Sequence, residues 1–564
     1  MTATKGISSS VLRFFAALAL AGAVLPASAE EAQPPDLRGV RLMPGAPRWA
    51  SRASSPVWLR YTNKWQEMKT AVAAGRLAAP APEAPVAAAV VFGQKVFNND
   101  TWPLPQNETT IAIDPKNANR IVGGYNDYRG LVNGNNMTGW SISTNGGATV
   151  AKDGQLPAVD VLGTTVPSQG DPAVAVDKNG NFFLGSLQFD VSGQTSTNGV
   201  TVFRSPAFGS ATGLFAASCT GGTDPNCWPT VKVVAADNTC DFTGGHFNDK
   251  DYIAVDRSSS AASGSVYVVW TLFGCSDGSS AIQLVKCSND LSTCTAPMVL
   301  ESAGPGSSFV QLSHLTVGPT GKVYVTWGNH SFDPTTGAET QALIRLRVIT
   351  PTASTSSVGT VGPLQTVHTE TAPIPFGGAP YPALFRTATY PKVGVRGNRA
   401  IIVWDRTTGP GTLFNFFYLG SEIVAKFTDN DGASFSKIQT VSTGSGQHYQ
   451  PTICVASPSG QVVVGYASHQ NDPTWSHLQD WYVARSSTGA QPYVPLRVTP
   501  VSNDTSADPY LAGFFIGDYP EVACQGNLGY LHYTANYAKK PGNLYGFSGG
   551  IRQQDTFIAR FTLP

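Results

Sequence analysis

The sequence predicts an all-β protein, a seven-bladed β-propeller, with six blades as the alternative count. Two observations lead to this fold class: a strand–turn–strand unit recurs along the chain, and the composition is rich in turn residues. The 564 residues include 58 glycines and 40 prolines, and only 13% of the side chains are charged. An average globular protein has about 25% charged residues, so this composition argues against coiled coils and charged disordered chains.

The first 29 residues have the pattern of a secretory signal peptide. Lys5 and Arg13 supply positive charge, the stretch 14–25 is apolar, and residues 27–29 (Ala-Ser-Ala) form a small-residue cleavage site. The apolar stretch is shorter than the ~20 residues that a membrane-spanning helix needs. We therefore expect a secreted or periplasmic protein that has no membrane span once the signal is removed.

Residues 30–89 form a separate N-terminal arm. Apolar residues recur at helical spacing over 58–77, which predicts one helix there. The following segment, 78–89 (AAPAPEAPVAAA), has the composition of an extended Pro/Ala linker. The arm is either a pro-segment or a docked arm, and the second reading is preferred. The propeller is predicted to occupy residues 90–564.

From residue 107 onward the chain repeats one unit. Each unit has a polar start, an alternating apolar strand, a turn rich in Gly, Asn or Pro, and a second strand of Val, Tyr, Phe and Trp. The seven openings are residues 107–127, 170–190, 248–271, 311–330, 389–406, 450–469 and 517–536. A third strand and usually an outer strand follow each opening.

A four-stranded antiparallel unit cannot bury both of its faces alone, whereas radial packing of such units around an axis buries face against face. Seven openings therefore predict seven blades. The strand at 90–97 precedes the first repeat, and the last repeat ends at Phe561. We expect strands from the two ends of the chain to complete one blade and close the ring. Two β-sandwich domains are the competing architecture.

Eight cysteines agree with an oxidising compartment. Cys219/Cys227 and Cys287/Cys294 are close enough in sequence to staple single loops, and Cys240/Cys275 flank a predicted strand pair. Cys454 and Cys524 lie within apolar strands, which suggests buried thiols. The spacing alone leaves the disulfide connectivity open.

Two turns after third strands carry a further motif. They read Ser143-x-Asn145-x-Gly147-x-x-Val150 and Thr428-x-Asn430-x-Gly432-x-x-Phe435. Both resemble the Asp-box turn (BNR repeat) of sialidase-type propellers, with Asn in place of the usual Asp. On this motif and on the repeat openings, residues 90–564 are identified as a member of the sialidase-like superfamily. This resemblance implies a propeller, and a function among glycan-active enzymes and non-catalytic relatives.

A propeller collects the loops that lead into its innermost strands around the axis, so polar residues there converge from different blades. Asp171, Asp251 and Asp518 begin three such strands, and Tyr519 follows the last of them. Mutual repulsion would raise at least one carboxyl pKa, which suits acid/base chemistry on a glycosidic bond. These four residues are the predicted catalytic group. The alternatives are a Ca²⁺ site, or aspartates that cap backbone N–H groups.

The predicted substrate-binding residues also lie in loops next to the inner strands. They are Arg129, Arg406, Asp127, His314 and His448. Arg129 and Arg406 follow second strands and are predicted to face each other, where guanidinium forks would bind an anionic group. The competing interpretation pairs each arginine with a neighbouring carboxylate in a salt bridge.

These features predict a glycoside hydrolase acting on an extracellular or cell-surface glycan. Two alternatives stay open: a polysaccharide lyase that uses His and Tyr on uronic acid glycans, and a non-catalytic propeller that binds glycan or protein. The zero net charge argues against a nucleic-acid partner. No cofactor is predicted with certainty, Ca²⁺ is an option, and a monomer is expected.

Overall fold

The structure is a computed structural model that describes most of the chain from Lys95 to Leu563. Described are residues 95–563 without 103, 132–133, 193–194, 242, 337, 381–382, 384, 409–411, 414–416, 473–477, 506, 509–510, 512–514, 538 and 541–550. The predicted signal peptide, the predicted helix at 58–77 and the Pro/Ala linker lie outside the described residues.

The described chain forms seven antiparallel sheets that follow one another in sequence, which confirms the seven-bladed all-β fold. In each blade the first strand is innermost, the second and third lie further out, and a fourth strand forms the outer edge.

The strands of blades 1 to 4 follow in chain order. They are Gln106–Ile113, Ile121–Asp127, Thr138–Ser143 and Lys152–Gln155; Ala173–Val176, Phe182–Ser192, Thr195–Ser205 and Thr230–Cys240; His246–Val255, Val266–Gly274, Ser280–Cys287 and Met298–Ala303; Ser308–Val317, Val323–Phe332, Glu339–Thr350, and Thr360–Val361 with Gln365–Glu370.

Blades 5 to 7 continue the pattern. Their strands are Lys392–Arg396, Arg399–Thr407, Ser421–Thr428 and Gln439–Thr440; His448–Val455, Val462–Ser468, Leu478–Ser486, and Val494–Arg497 with Asn503–Asp504; Glu521–Gln525, Leu528–Ala535, Asp555–Thr562 and Lys95–Val96. Short strands at Val159–Val161, Thr164–Val166, Ala379–Pro380, Thr412–Leu413, Phe417–Tyr418, Lys539–Lys540 and Ile551–Arg552 and a 3₁₀ turn at Tyr128–Leu131 lie in connecting loops.

Both ends of the described chain contribute to blade 7, which confirms the predicted ring closure. Lys95 and Val96 pair antiparallel with Ile558 and Phe557, so the strand from the start of the described chain is the outer strand of the last blade. This pairing removes the open seam that a chain of seven independent sheets would leave between its first and last members.

The sharp turns between first and second strands depend on aspartates at equivalent repeat positions. Asp114, Asp177 and Asp256 each accept a backbone N–H from two residues further on, at 2.8 Å. All three carboxylates are buried. Because an Asp side chain can satisfy its own turn in this way, the repeat needs the residue for local geometry rather than for chemistry.

The two turns that resemble Asp-boxes share one hydrogen-bond pattern. The Ser143 hydroxyl accepts the Gly147 N–H at 3.0 Å, and the Thr428 hydroxyl accepts the Gly432 N–H at 2.9 Å. Both glycines have positive φ, 79° and 91°. Glycine adopts this left-handed backbone without a Cβ clash, so the motif fixes the end of a third strand.

All eight cysteines form disulfides. Cys219–Cys227, Cys240–Cys275 and Cys287–Cys294 join neighbouring segments. The interpretation of Cys454 and Cys524 as buried thiols is wrong, because a disulfide joins them and ties the innermost strands of blades 6 and 7. Four disulfides indicate an extracellular or otherwise oxidising compartment. Within the described part of the chain, no helix has the length and hydrophobicity that crossing a bilayer requires.

Phe97 packs at the junction of blades 7 and 1, directly after the closing strand. Its side chain is fully buried with Ile111, Ile121 and Ile558, and its ring lies 5.3 Å from the His532 ring. The closing segment therefore contributes apolar packing as well as backbone hydrogen bonds.

We expect Phe97→Ala to lower the free energy of unfolding by about 3–5 kcal/mol, because it empties a buried ring site that nearby residues can fill only in part. Chemical denaturation followed by tryptophan fluorescence measures the change. Phe208→Ala is the matched control, since this ring is 53% exposed and its removal leaves no buried cavity. Equal stability of the two variants would contradict the role of Phe97 in ring closure.

Candidate active site

The innermost strands of five blades share an unusual backbone feature in their first half or just ahead of it. Five residues at this level have positive φ: Glu108 (54°), Asp171 (53°), Lys250 (53°), Leu312 (62°) and Gln450 (54°). In four of the five strands the pairing with the second strand shifts register at this point. A non-glycine residue in this conformation costs about 1–3 kcal/mol and persists only where the surroundings impose it.

Asn126, at the end of the second strand of blade 1, connects the positive-φ residues of blades 1 and 2. Its Oδ1 accepts the backbone N–H of Asp171 at 2.9 Å, and its Nδ2 donates to the Glu108 carboxyl at 2.6 Å. All three side chains are inaccessible to solvent. One amide thus links the acidic residues of blades 1 and 2.

Asp405 performs the equivalent task between blades 5 and 6. Its two carboxyl oxygens accept the backbone N–H groups of Tyr390 and Gln450, both at 3.0 Å. Burial raises the pKa of Asp405 to about 7, although the backbone N–H donors act in the opposite direction. Asp405 therefore orders the backbone, which is the role that the sequence offered as one alternative for Asp171, Asp251 and Asp518.

Side chains from opposite blades meet on the axis, so the channel is filled at this level. The Lys250 amine of blade 3 lies 3.6 Å from the centre of the Tyr519 ring of blade 7. The Tyr252 hydroxyl of blade 3 donates to the Glu521 carboxyl of blade 7 at 2.8 Å. The Tyr519 hydroxyl in turn donates to the backbone carbonyl of Pro172 in blade 2, at 3.3 Å.

Three carboxyl groups gather around this point: Glu108, Asp171 and Asp251, all fully buried. Burial and then the charges of Asp171 and Asp518 raise the pKa of Glu108 well above its ordinary value. Burial and then Asp171 likewise raise the pKa of Asp251. Neither carboxyl oxygen of Asp251 has a hydrogen-bond partner among the other described residues.

Gly185, in the second strand of blade 2, makes room for the Asp251 carboxyl. A Cβ at residue 185 would lie 2.2 Å from Oδ2 of Asp251. Contacts this short do not occur between real atoms, so any side chain at this position displaces the carboxyl or the strand. The glycine therefore fixes where Asp251 sits.

Two buried lysines balance part of this negative charge. Burial opposes protonation of Lys250, but Tyr390, Asp171 and Glu108 raise the pKa of Lys250 above its ordinary value. Burial lowers the pKa of Lys392 to about 7, with Glu521 opposing that shift and Lys250 adding to it.

Tyrosine rings surround the Lys392 amine. It lies 4.5 Å from the centre of the Tyr390 ring, 5.0 Å from that of Tyr252 and 5.3 Å from that of Tyr519. Among the described residues this amine has no hydrogen-bond partner.

His314 lies beside Tyr252 with 4.2 Å between ring centres. Its Nδ1 accepts the backbone N–H of Val393 at 3.2 Å, which leaves Nε2 as the protonated nitrogen of the neutral ring. Burial, and then the charges of Lys392 and Lys250, lower the pKa of His314 well below its ordinary value. The imidazole is therefore neutral at physiological pH.

Arg386 and Asp518 form an ion pair above this group. The guanidinium donates to both carboxyl oxygens, and the Nε contact is 3.1 Å. The Asp518 backbone N–H donates to the Glu108 carboxyl at 3.2 Å, which connects the ion pair to the acids below. A small cavity lies here, lined by Leu312, Tyr390 and this pair among others.

The structure thus brings five of the nine predicted site residues to one end of the channel. Asp171, Asp251, Tyr519 and His314 belong to the central group, and Asp518 lies at its mouth.

Arg129 and Asp127 pair with each other, and Arg129 also pairs with the outer strand of its own blade. The Arg129 guanidinium pairs with Asp127 at 2.6 Å and with Asp153 of the outer strand of blade 1 at 2.9 Å. A role for Arg129 and Asp127 in substrate binding stays a prediction, and these contacts match the salt-bridge alternative.

Arg406 and His448 are held by other partners. Arg406 pairs with Glu422 of the third strand of its own blade at 2.9 Å, and its guanidinium is 3.9 Å from Glu370. The His448 ring packs edge-on against Tyr466, and burial lowers the pKa of His448 to about 4. Their substrate-binding roles also stay predictions.

The candidate site contains residues that the sequence reasoning left without a role: Lys250, Tyr252, Tyr390, Lys392, Glu521 and Arg386. All but Arg386 have a signal in the repeat. Aligned on the positive-φ residue, six of the seven openings carry a polar or aromatic residue at that position, and six carry one two residues later; the exceptions are Leu312 and Ala173. Arg386 belongs to a connecting loop, where the repeat gives no such guide. Among the described residues, no group of three or more His, Cys, Asp or Glu side chains has the geometry to hold a metal ion.

Comparison with known proteins shows only distant likeness. No protein-family profile and no curated protein matches the sequence. Among solved structures, the phage phi92 endosialidase has a TM-score of 0.44 at 8% identity, covering 84% of this chain and 70% of that one. The GH93 α-L-arabinofuranosidase of Fusarium graminearum in complex with arabinobiose has a TM-score of 0.38 at 8% identity, covering 69% and 92%. The polysaccharide lyase Uly1 has a TM-score of 0.34 at 9% identity, covering 69% and 76%.

Proposed function

We propose that this protein is a glycoside hydrolase that acts on extracellular glycans with the carboxyl groups of Asp171 and Asp251. The observation that carries the proposal is the Asp251 carboxyl: fully buried, beside a second carboxyl, and without a hydrogen-bond partner among the other described residues. Buried polar groups in native proteins are nearly always paired, and the exceptions call for a functional reason. A carboxyl kept protonated by its surroundings is what protonation of a glycosidic oxygen requires.

The two aspartates take different roles because their surroundings differ. Burial and Asp171 raise the pKa of Asp251, so Asp251 carries the proton and serves as the general acid. Asp171 interacts with the Lys250 ammonium and serves as the base or nucleophile. Glycoside hydrolysis depends on one carboxyl that donates a proton and a second that acts as base or nucleophile.

Glu108 and Tyr519 support this pair. Glu108 is tied to the Asp171 backbone through Asn126, and the Tyr519 ring packs against the Lys250 amine. The low-dielectric interior strengthens each of these charge interactions relative to water. Their effect is to hold the acid, the base and the ammonium group in a fixed relation before a substrate binds.

Access to the pair passes the Arg386–Asp518 ion pair. Because Asp171 and Asp251 have no exposed surface, a glycan reaches them only if the channel opens, and the proposed place of opening is this contact beside the small cavity. The released Arg386 guanidinium is then available to an anionic group of the substrate, the task that the sequence reasoning gave to Arg129 and Arg406.

A polysaccharide lyase is the second candidate, and one observation favours it. Tyr252, neutral His314 and the Lys392 amine lie together in the channel. In an elimination, a tyrosine or histidine removes the proton next to a uronic carboxylate while a cation neutralises that carboxylate. This reaction would depend on Lys392 and would not need Asp251.

Incubation with a panel of acidic and neutral glycans tests both candidates. We expect new reducing ends without the ultraviolet absorbance of an unsaturated product. Asp251→Asn and Asp171→Asn should each lower the rate about 100-fold or more, the range expected for loss of general acid–base catalysis. Asp177→Asn is the matched control, since Asp177 is buried at the opposite end of the same inner strand and caps a turn. Ultraviolet-absorbing products would favour the lyase, and no activity on any glycan would favour a binding protein.

Gly185→Ala tests the position of Asp251 without removing a functional group. The added methyl group meets the Asp251 carboxyl, so we expect the rate to fall at least about tenfold, and thermal unfolding checks that the variant is folded. Gly304→Ala serves as the control, because no heavy atom lies within 4 Å of the position of its added Cβ. Full activity of Gly185→Ala would remove Asp251 from the mechanism.

The alkaline side of the pH–rate profile tests the electrostatic role of Lys250. Lys250 lowers the pKa of Asp251, so Lys250→Met should raise that pKa and move the alkaline loss of activity to higher pH. Lys426→Met, which removes a lysine that donates to the Val367 carbonyl, should leave the profile in place. A profile that moves to lower pH would contradict the assignment of Asp251 as the acid.

A further inference from the structure

We propose that a groove on the outer edge of blade 2 binds the Pro/Ala linker of the same chain, residues 78–89. The groove is lined by Phe203, Trp228, Val231 and three prolines, Pro157, Pro225 and Pro229, and its volume is ≈ 450 Å³. It lies far from the charged channel and has no part in the proposed hydrolysis.

The edge of blade 2 is long and partly apolar. Its outer strand, Thr230–Cys240, has eleven residues, whereas the outer strand of blade 1 has four. Val231 near the start of this strand is 44% exposed. Long edge strands with exposed apolar residues are aggregation sites, and proteins commonly cover them with another segment. Within the described residues nothing covers this one.

The described chain begins on the side of the ring where the groove lies. The Lys95 amine donates at 2.8 Å to the carbonyl of Ala148, in the turn between the third and fourth strands of blade 1. Phe203 ends the third strand of blade 2 and Val231 begins its fourth. The groove and the start of the described chain therefore lie at equivalent ends of neighbouring blades.

The length of the missing chain fits this distance. An extended Pro-rich segment rises about 3.1 Å per residue, so residues 78–89 extend over roughly 19–53 Å of contour from Lys95. Sheets that pack face to face are about 10 Å apart, radial blades diverge beyond that towards the outer edge, and the groove lies two blades from the closing strand. An extended segment of this length can therefore span the distance while every described strand stays folded.

The chemistry of the two surfaces also matches. Grooves lined by aromatic and proline side chains bind Pro-rich segments because an extended backbone is already ordered before it binds, so docking loses little conformational entropy. The linker, AAPAPEAPVAAA, has small apolar side chains between its prolines and one charge. Val231 offers an exposed apolar side chain, and the buried rings of Phe203 and Trp228 form the floor of the groove.

Elastase cleavage of the full-length mature protein tests the proposal, because this protease cuts after alanine and the docked linker is protected. We expect Val231→Glu to speed cleavage within residues 78–89 about tenfold, since cleavage tracks the population of the open state. Val494→Glu is the matched control: Val494 is 51% exposed and lies on the outer strand of blade 6. Thermal unfolding of each variant checks whether the propeller is still folded.

A change in the arm itself gives a second readout that cannot disturb the propeller. Replacing Pro80, Pro82 and Pro85 with glycine should speed hydrogen exchange at the amides of residues 228–240 and leave those of blade 6 unchanged. Equal cleavage of wild type and Val231→Glu, together with unchanged exchange in the proline variant, would overturn the proposal. A dimer that Val231→Glu dissociates would also overturn it, because the occupant of the groove would then be a second copy.

Discussion

The left-handed bulge at the channel end of the inner strands is the constraint on which the candidate site depends. A strand that continued its regular alternation would send every second side chain between the blades, where only apolar residues pack well. The bulge interrupts that alternation, and it lets Glu108, Asp171 and Lys250 lie next to one another although they belong to three different blades. The strain is offset by hydrogen bonds from neighbouring blades, such as those of Asn126 and Asp405.

Opposite charges lie close together in this interior, and each reduces the free-energy cost of burying the other. Burying single ions is expensive, but here carboxyl groups lie close to the amines of Lys250 and Lys392, and tyrosine rings face those amines. The compensation is incomplete, because the acids outnumber the lysines. The result is a group of buried side chains in which the pKa values of Glu108 and Asp251 are raised and that of Lys392 is lowered.

The repeat pattern predicted most of the fold because each blade uses the same local physics. Alternating strands, turns with Asp or Gly, and closure by both ends of the chain are all visible in the sequence. The convergence of Asp171 and Asp251 also follows from it, since the first parts of the inner strands of neighbouring blades face one axis. The Cys454–Cys524 pair did not follow, because its two residues are 70 positions apart and only the packing of blades 6 and 7 brings them together. The position of Arg386 at the site could not be predicted either, because this residue lies in a loop outside the repeat.

Ring closure has a consequence for the order of assembly. The closing strand at Lys95 pairs with Ile558, about 460 residues further along the chain. During synthesis, the strand at Lys95 is made first and its partner strand last. Intermediates with five or six finished sheets therefore have two unpaired ends, and the ring is open between them. Long-range pairing of this kind makes folding slow and leaves sheet edges uncovered in the meantime. We therefore expect chains truncated just before the final strand to form incomplete rings that aggregate, and not smaller folded propellers.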